Sequence, residues 1–219
     1  MKSDDIARYL KENPAFFEEY ADMLSEIYIP HPHGGRAIPL SDRQVLTLRG
    51  KNKALESRLA DLLQIGEEND AIGEKLHRLC LALLPVADLK SLLAVTYYNL
   101  REDFAVPHIA LRVWRRPYDM PQGASESGEF SPVSEHVKLY AAALAQPFCG
   151  PSGMPEAAAW FGEGALHVRS VAHMALKGNE CFGMLALGSE DVLRFYPEMG
   201  TLYLKRLGDL VSAALQRFL

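Results

Sequence analysis

The chain has 219 residues, 48% of them hydrophobic and 23% charged, and a formal net charge of −5 at pH 7. That length allows one good-sized domain plus an appendage, and the acidic balance runs against the basic stripe of a nucleic-acid-wrapping protein. Three cysteines, Cys80, Cys149 and Cys181, stand at unrelated spacings and make neither a disulfide framework nor a CxxC zinc site.

The opening "MKSDDIARYLKENP" carries acids where a signal peptide has its apolar core, and no apolar run approaches the roughly 20 residues that span a bilayer. A reduced, cytoplasmic setting away from membranes is expected. Residues 1–40 read as a helical arm and a linker. Asn13-Pro14 suits a helix start, with Asn capping free amides and Pro at the first helical position. Phe16, Phe17, Tyr20, Met23, Leu24 and Ile27 then form an apolar face, and "IPHPHGGRAIP" breaks the helix. His31 and His33 in that linker lack a third ligand, so no metal site is assigned.

Ser41 and Gln44 fit a capping box that opens a long proline-free helix, residues 41–84. Its apolar residues recur in steps of three and four. One run holds Val45, Leu48, Leu55, Leu59 and Leu62; a second holds Leu62, Ile65, Ile72, Leu76, Leu79 and Leu83. They join at Leu59–Leu62–Ile65, two steps of three in succession, the mark of a stammer that overwinds a coiled coil. Asn52 and Asn69 occupy seam positions, where a polar residue fixes register and oligomeric state. A parallel homodimer stalk is expected, the alternative being a helix packed on its own domain.

Residues 85–219 read as a separate domain. "DLKSLLAVTYYNLRED" is an amphipathic helix, and "PHIALRVW" alternates as a strand with Ile109, Leu111 and Val113 on one face and Arg112 and Trp114 on the other. "VSEHVKLYAAALAQ" is helical, and residues 166–187 give two strands joined by a Gly178-Asn179 turn that demands positive φ. A last helix runs from about Glu198. The order of elements predicts an α+β fold with an antiparallel sheet flanked by helices.

Four stretches, "IARYLKENPAFFEEYADMLSEIYIPHPHGG", "SDRQVLTLR", "REDFAVPHIALRVW" and "LGSEDVLRFYPEMGTLYLKRLGDLVSAAL", together resemble the bacterial domain-of-unknown-function family 484. The resemblance implies a helical arm and a coiled coil followed by a GAF-like domain, with biochemical activity unassigned. One departure stands out. GAF domains tend to carry a Pro-Leu pair ending the strand before the hairpin, and here Ala175-Leu176 takes that place beside His173. GAF-type methionine sulfoxide reductases resemble one another in a closely spaced cysteine pair, which this chain lacks.

"GSEDVLRF" has the place of a phosphate loop but neither repeated glycines nor a Lys-Ser/Thr pair, and Glu190 and Asp191 would repel phosphate. It reads as a joint in which Arg194 pairs with one of those acids. His167, Arg169 and His173 share a face of one strand, Arg112 and Trp114 lie on another, and Trp160 and Phe161 supply a roof. In a GAF-like fold such groups would meet an anionic or planar small ligand; the alternative is a solvated sheet face. No residue pattern names a cofactor or a catalytic group. The expectation is a non-catalytic, dimeric GAF-like regulatory protein that binds a small ligand and signals through its coiled coil to a protein partner. The alternative is a constitutive adaptor with an empty or self-filled pocket. Nucleic acid and membrane are not expected partners.

Overall fold

The computed structural model describes residues 2–29, 38–118 and 128–219. His31 and His33 lie outside the described residues, and the Ser41 side chain lies outside them too. The chain forms two compact units, residues 1–67 and 68–219.

The first unit holds helices α1 (Ser3–Glu12), α2 (Ala15–Glu19) and α3 (Ala21–Glu26), and strands β1 (Tyr28–Ile29) and β2 (Ile38–Pro39), paired antiparallel. Asn13 does not cap α2. Its Nδ2 donates to Tyr9 O at 2.9 Å and closes α1, because an Asn between two short helices bonds whichever orphan carbonyl is nearer. Phe16 stacks on Tyr20, with ring centroids 4.8 Å apart. Tyr9, Phe17, Tyr20 and Met23 are exposed.

Helix α4 (Leu40–Leu83) enters this unit and ends in the second. Its first apolar run is uncovered: Val45, Leu48, Leu55, Leu59 and Leu62 are 44% to 66% exposed, as is Ile65 at 53%. Asn52 donates Nδ2 to Glu56 Oε1 along its own helix at 3.0 Å. The second run has a different fate. Leu79 and Leu83 are buried in the core of the second unit, Leu76 packs against it, and Ile72 and Asn69 are half-buried. Leu59, Leu62 and Ile65, where the two runs join, are all exposed. Beyond that junction the later leucines turn inward on their own domain.

In the second unit, α5 (Leu89–Glu102) begins at Asp88, whose carboxylate accepts from Ser91 N at 2.8 Å. That bond holds the Asp88 carboxyl below its ordinary range. Four strands follow: β3 (His108–Val113), β4 (Phe148–Gly150), β5 (Ser170–Lys177) and β6 (Cys181–Ser189). They form one antiparallel sheet in the order β3-β6-β5-β4. Helices α6 (Glu135–Ala143) and α7 (Pro155–Ala159) sit between strands in sequence, and α8 (Leu202–Gln216) closes the chain. This is the expected α+β layout.

One sheet face carries the main core. Leu111 and Val113, Leu185 and Leu187, and Ala172, Met174 and Leu176 meet Leu92 and Leu100 of α5 and Leu207, Val211 and Leu215 of α8. Each such leucine contributes roughly 1.5–3 kcal/mol by leaving water. Helix α8 comes close at Gly208, where a Cβ would stand 3.3 Å from Met174 Cβ. Arg217 ties the end of α4 to α8, donating Nη1 to Leu83 O at 3.2 Å and Nη2 to Val86 O at 2.7 Å.

Three local expectations are corrected. Residues 162–166 form a 3-10 turn entered through Gly162 at φ 60°, so the alternation at 166–169 is not a strand and Leu166 is 92% exposed. The β5–β6 connection has three residues, with a register shift at Leu176/Lys177, and neither Gly178 nor Asn179 takes positive φ. Arg194 makes no ion pair with Glu190 or Asp191 among the described residues, though Asp191 acts on it electrostatically; it donates to Ala105 O at 2.7 Å and to Phe104 O. The carbonyls there lie at a turn where Ala105 has φ 52°, and a guanidinium satisfies both at once.

Candidate functional site: the outer face of the sheet

The sheet face turned away from α8 is laid by alternate strand residues. The register sets His108, Gly188, Val171 and Gly150 in one row, Ala110, Ala186, His173 and Phe148 in the next, then Arg112, Met184 and Ala175. Its centre is a floor of small residues, which leaves room above. That room is filled from the chain itself. Val137 and Ala141 of α6, Ala157 of α7 and Met184 of β6 are 0% exposed, and Met154, Tyr140, Trp114 and Trp160 pack with them. Phe161 lies over Gly188, its Cζ 3.2 Å from where a Cβ would stand. A larger residue at 188 would have to displace that ring.

The roof is held in place by capping. Ser134 caps α6 with its hydroxyl accepting from Val137 N, and Glu156 of α7 accepts from Ser134 N at 3.0 Å and from Ser134 Oγ. These bonds lower the pKa of the Glu156 carboxyl.

The residues expected to gather here divide. His173 is 1% exposed, with Nδ1 3.1 Å from Tyr140 Oη and its ring tilted against Phe148. Burial pulls its pKa down to about 4, so the imidazole is neutral at pH 7 and offers an anion no charge. Arg112 is half-buried, donates Nη1 to Leu111 O at 2.9 Å and lies 5.2 Å from the Trp160 ring centre. Trp114 donates Nε1 to Cys181 O at 2.9 Å. Phe161 packs edge-on to His108. His167 and Arg169, by contrast, precede β5 and are exposed, away from the row that holds His173. The shared strand face expected for these three is corrected by the 3-10 turn.

Several residues here carried no sequence signal for a site. Tyr140 and Phe148 frame His173, and Met184 fills the floor. The spacing of Val137, Tyr140 and Ala141 on one helix face is a signal that could have found Tyr140, but none marks Phe148 or Met184. At the row's end, His108 Nε2 is buried without a hydrogen-bond partner among the described residues, with Glu190 Oε1 3.6 Å away. Tyr97 of α5 has its pKa raised above the usual tyrosine value by burial and by Glu129. Burial likewise pushes the Cys149 thiol up to about 11, which favours the un-ionised, weakly nucleophilic form.

Outside this filled face, a cleft of about 180 Å³ opens where β3 ends, walled by Trp114, Phe130 and Pro132 and rimmed by Arg115, Arg116 and Lys138. Among the described residues there is no group of three His, Cys, Asp or Glu placed to hold a metal, and no helix long and apolar enough to cross a membrane.

No curated protein matches the chain. Among solved structures, the chain is similar to a free methionine-R-sulfoxide reductase from Neisseria meningitidis in complex with its substrate. That likeness has 20% identity and a TM-score of 0.47 over 66% of this chain and 88% of that one. A far-red-absorbing dark state with bound biliverdin IXa is similar at 17% identity and TM-score 0.46, over 65% of this chain and 98% of that one. The GAF domain of the potassium sensor histidine kinase KdpD from Escherichia coli is similar at 15% identity and TM-score 0.35, over 66% and 93%. The family described as "Protein of unknown function, DUF484" matches residues 1–219, and the chain belongs to that family.

Proposed function

We propose that this protein is a non-catalytic, dimeric regulatory adaptor whose GAF-like domain fills its own ligand face and whose α4 stripe joins two copies. The observation that carries this reading is the packed outer face, with Val137, Ala141, Ala157 and Met184 at 0% exposure beneath Tyr140 and Trp160. A face already occupied by side chains presents a fixed surface to a protein partner. The exposed leucines of α4 supply the assembly, since an amphipathic stripe of that length is stable in water when a second helix covers it.

A thermal-shift screen of the full chain against nucleotides, amino acids, tetrapyrroles and organic acids should give no stabilisation. A true ligand at about 100 times its Kd would add about 2.7 kcal/mol, and such a hit would overturn the adaptor reading. Light scattering should give a dimer, and Leu59→Asp a folded monomer, because Leu59 is 58% exposed and its loss leaves no cavity.

A sensory reading has one observation in its favour, the basic cleft beside Trp114. It would take a small carboxylate or phosphate, and Arg115→Ala would abolish the thermal shift that such a ligand produces.

A further inference from the structure

The direction and register of the dimer can be argued further; this step rests on the dimeric part of the reading above. Counted in sevens along α4, Val45, Asn52, Leu59, Gly66, Gly73 and Cys80 share one phase, and Leu48, Leu55 and Leu62 share the phase three residues on. The residues flanking that seam choose the direction. Lys51 directly precedes one seam position and Glu56 directly follows another. In a parallel pair Lys51 meets Glu56 of the partner subunit, opposite in sign and twice per dimer. In an antiparallel pair each flank meets its own kind, so Lys51 no longer meets Glu56 and faces a residue of its own phase, none of which is acidic among Gln44, Lys51, Arg58 and Ile65. Asn52 meets Asn52 of the partner subunit only when the helices are parallel and in register. Its bond to Glu56 is exposed and exchangeable.

The same phase reaches Cys80 at the far end of the helix. Leu79 and Leu83 are turned into the chain's own core there, so the outward side is left to Cys80 and its neighbours. Cys80 lines an apolar groove of about 170 Å³ between α4 and α8, together with Leu84, Leu210, Ala213 and Ala214. Leu81 and Leu84 beside it are 53% and 64% exposed.

We propose that two copies pair parallel and in register along α4, and that the pairing continues past the leucine stripe to this groove, where residues 80–84 of the second copy seat. A two-fold axis places each seam residue opposite its own copy, so Cys80 faces Cys80 of the partner subunit.

The test treats the full-length dimer with a short-arm bis-maleimide and resolves the product on a denaturing gel. Each thiol adds across one maleimide double bond, sulfur to one carbon and the proton to the other, with no oxidant needed. A covalent dimer is expected that falls severalfold in Cys80→Ser; Cys149 is buried, and any product through the half-buried Cys181 would survive that substitution. Ala213→Glu places a charge in the groove at an exposed helix position; the stalk dimer should persist by light scattering while the cross-link yield drops severalfold. A dimer by scattering that gives no Cys80-dependent cross-link overturns the direction and register. An unchanged yield in Ala213→Glu overturns the groove alone. A monomer by scattering instead brings down the dimeric reading beneath both.

Discussion

His173 stands where charge would be useful to a ligand site and has none. Its imidazole is enclosed by Tyr140 and Phe148, and burial holds the folded pKa at about 4 against the ordinary 6.5. The unfolded chain therefore takes up the proton first. The stability that depends on the neutral ring is fully present above pH 6.5, declines as the pH falls toward 4, and about 3 kcal/mol of it is gone below that. His173→Gln keeps a hydrogen-bonding partner for Tyr140 Oη but does not titrate. Its urea midpoint should lie below that of the parent near pH 7 and fall much less on going to about pH 4.5. Equal pH slopes in the two proteins would show that this ring is not the acid-sensitive group. The sequence marks His173 as an odd polar residue in an apolar strand, but not as neutral, because the residues that desolvate it come from α6 and β4.

The elements follow the sequence where one period dominates. The strands β3 and β6 and the helices α5 and α8 sit close to their expected places, because alternation or a continuous apolar stripe decides their form. Where two signals compete, the local pattern misleads. Leu166 to Arg169 alternate like a strand, yet Gly162 with positive φ and the short 3-10 turn behind it place that segment over the sheet's edge rows. The strand β4 and the helix α7 are too short to carry a period at all. They matter nonetheless, because α7 anchors the roof. Glu156→Ala removes both acceptors from Ser134, so α6 loses its tie to α7. The expected cost is about 1 kcal/mol, with faster amide exchange confined to α6 and α7, the pattern of a local opening. Exchange that quickens equally in α8 would mean that the roof and the main core open as one.

At the scale of the whole molecule, the boundary between the two compact units lies inside helix α4. A proline after the last helical leucine, Pro85, looks like the place where a domain begins, since helices end there. The core says otherwise. Leu79 at 0% and Leu83 at 2% exposure belong to the same cluster as Leu100, Leu185 and Leu215, and Arg217 spends its guanidinium on Leu83 O and Val86 O. The compact unit accordingly starts at Glu68. A fragment of residues 68–219 should therefore melt cooperatively, whereas one of residues 85–219 should not. Deleting two buried leucines is comparable with two large-to-small core changes of about 2–5 kcal/mol each, set against a total stability of about 5–15 kcal/mol. Near-UV circular dichroism on heating distinguishes the two fragments. If both melt at the same temperature, the end of α4 is a passive extension of the core. If only the longer one holds its tertiary signal, the last two turns of α4 are an integral part of the second unit's core.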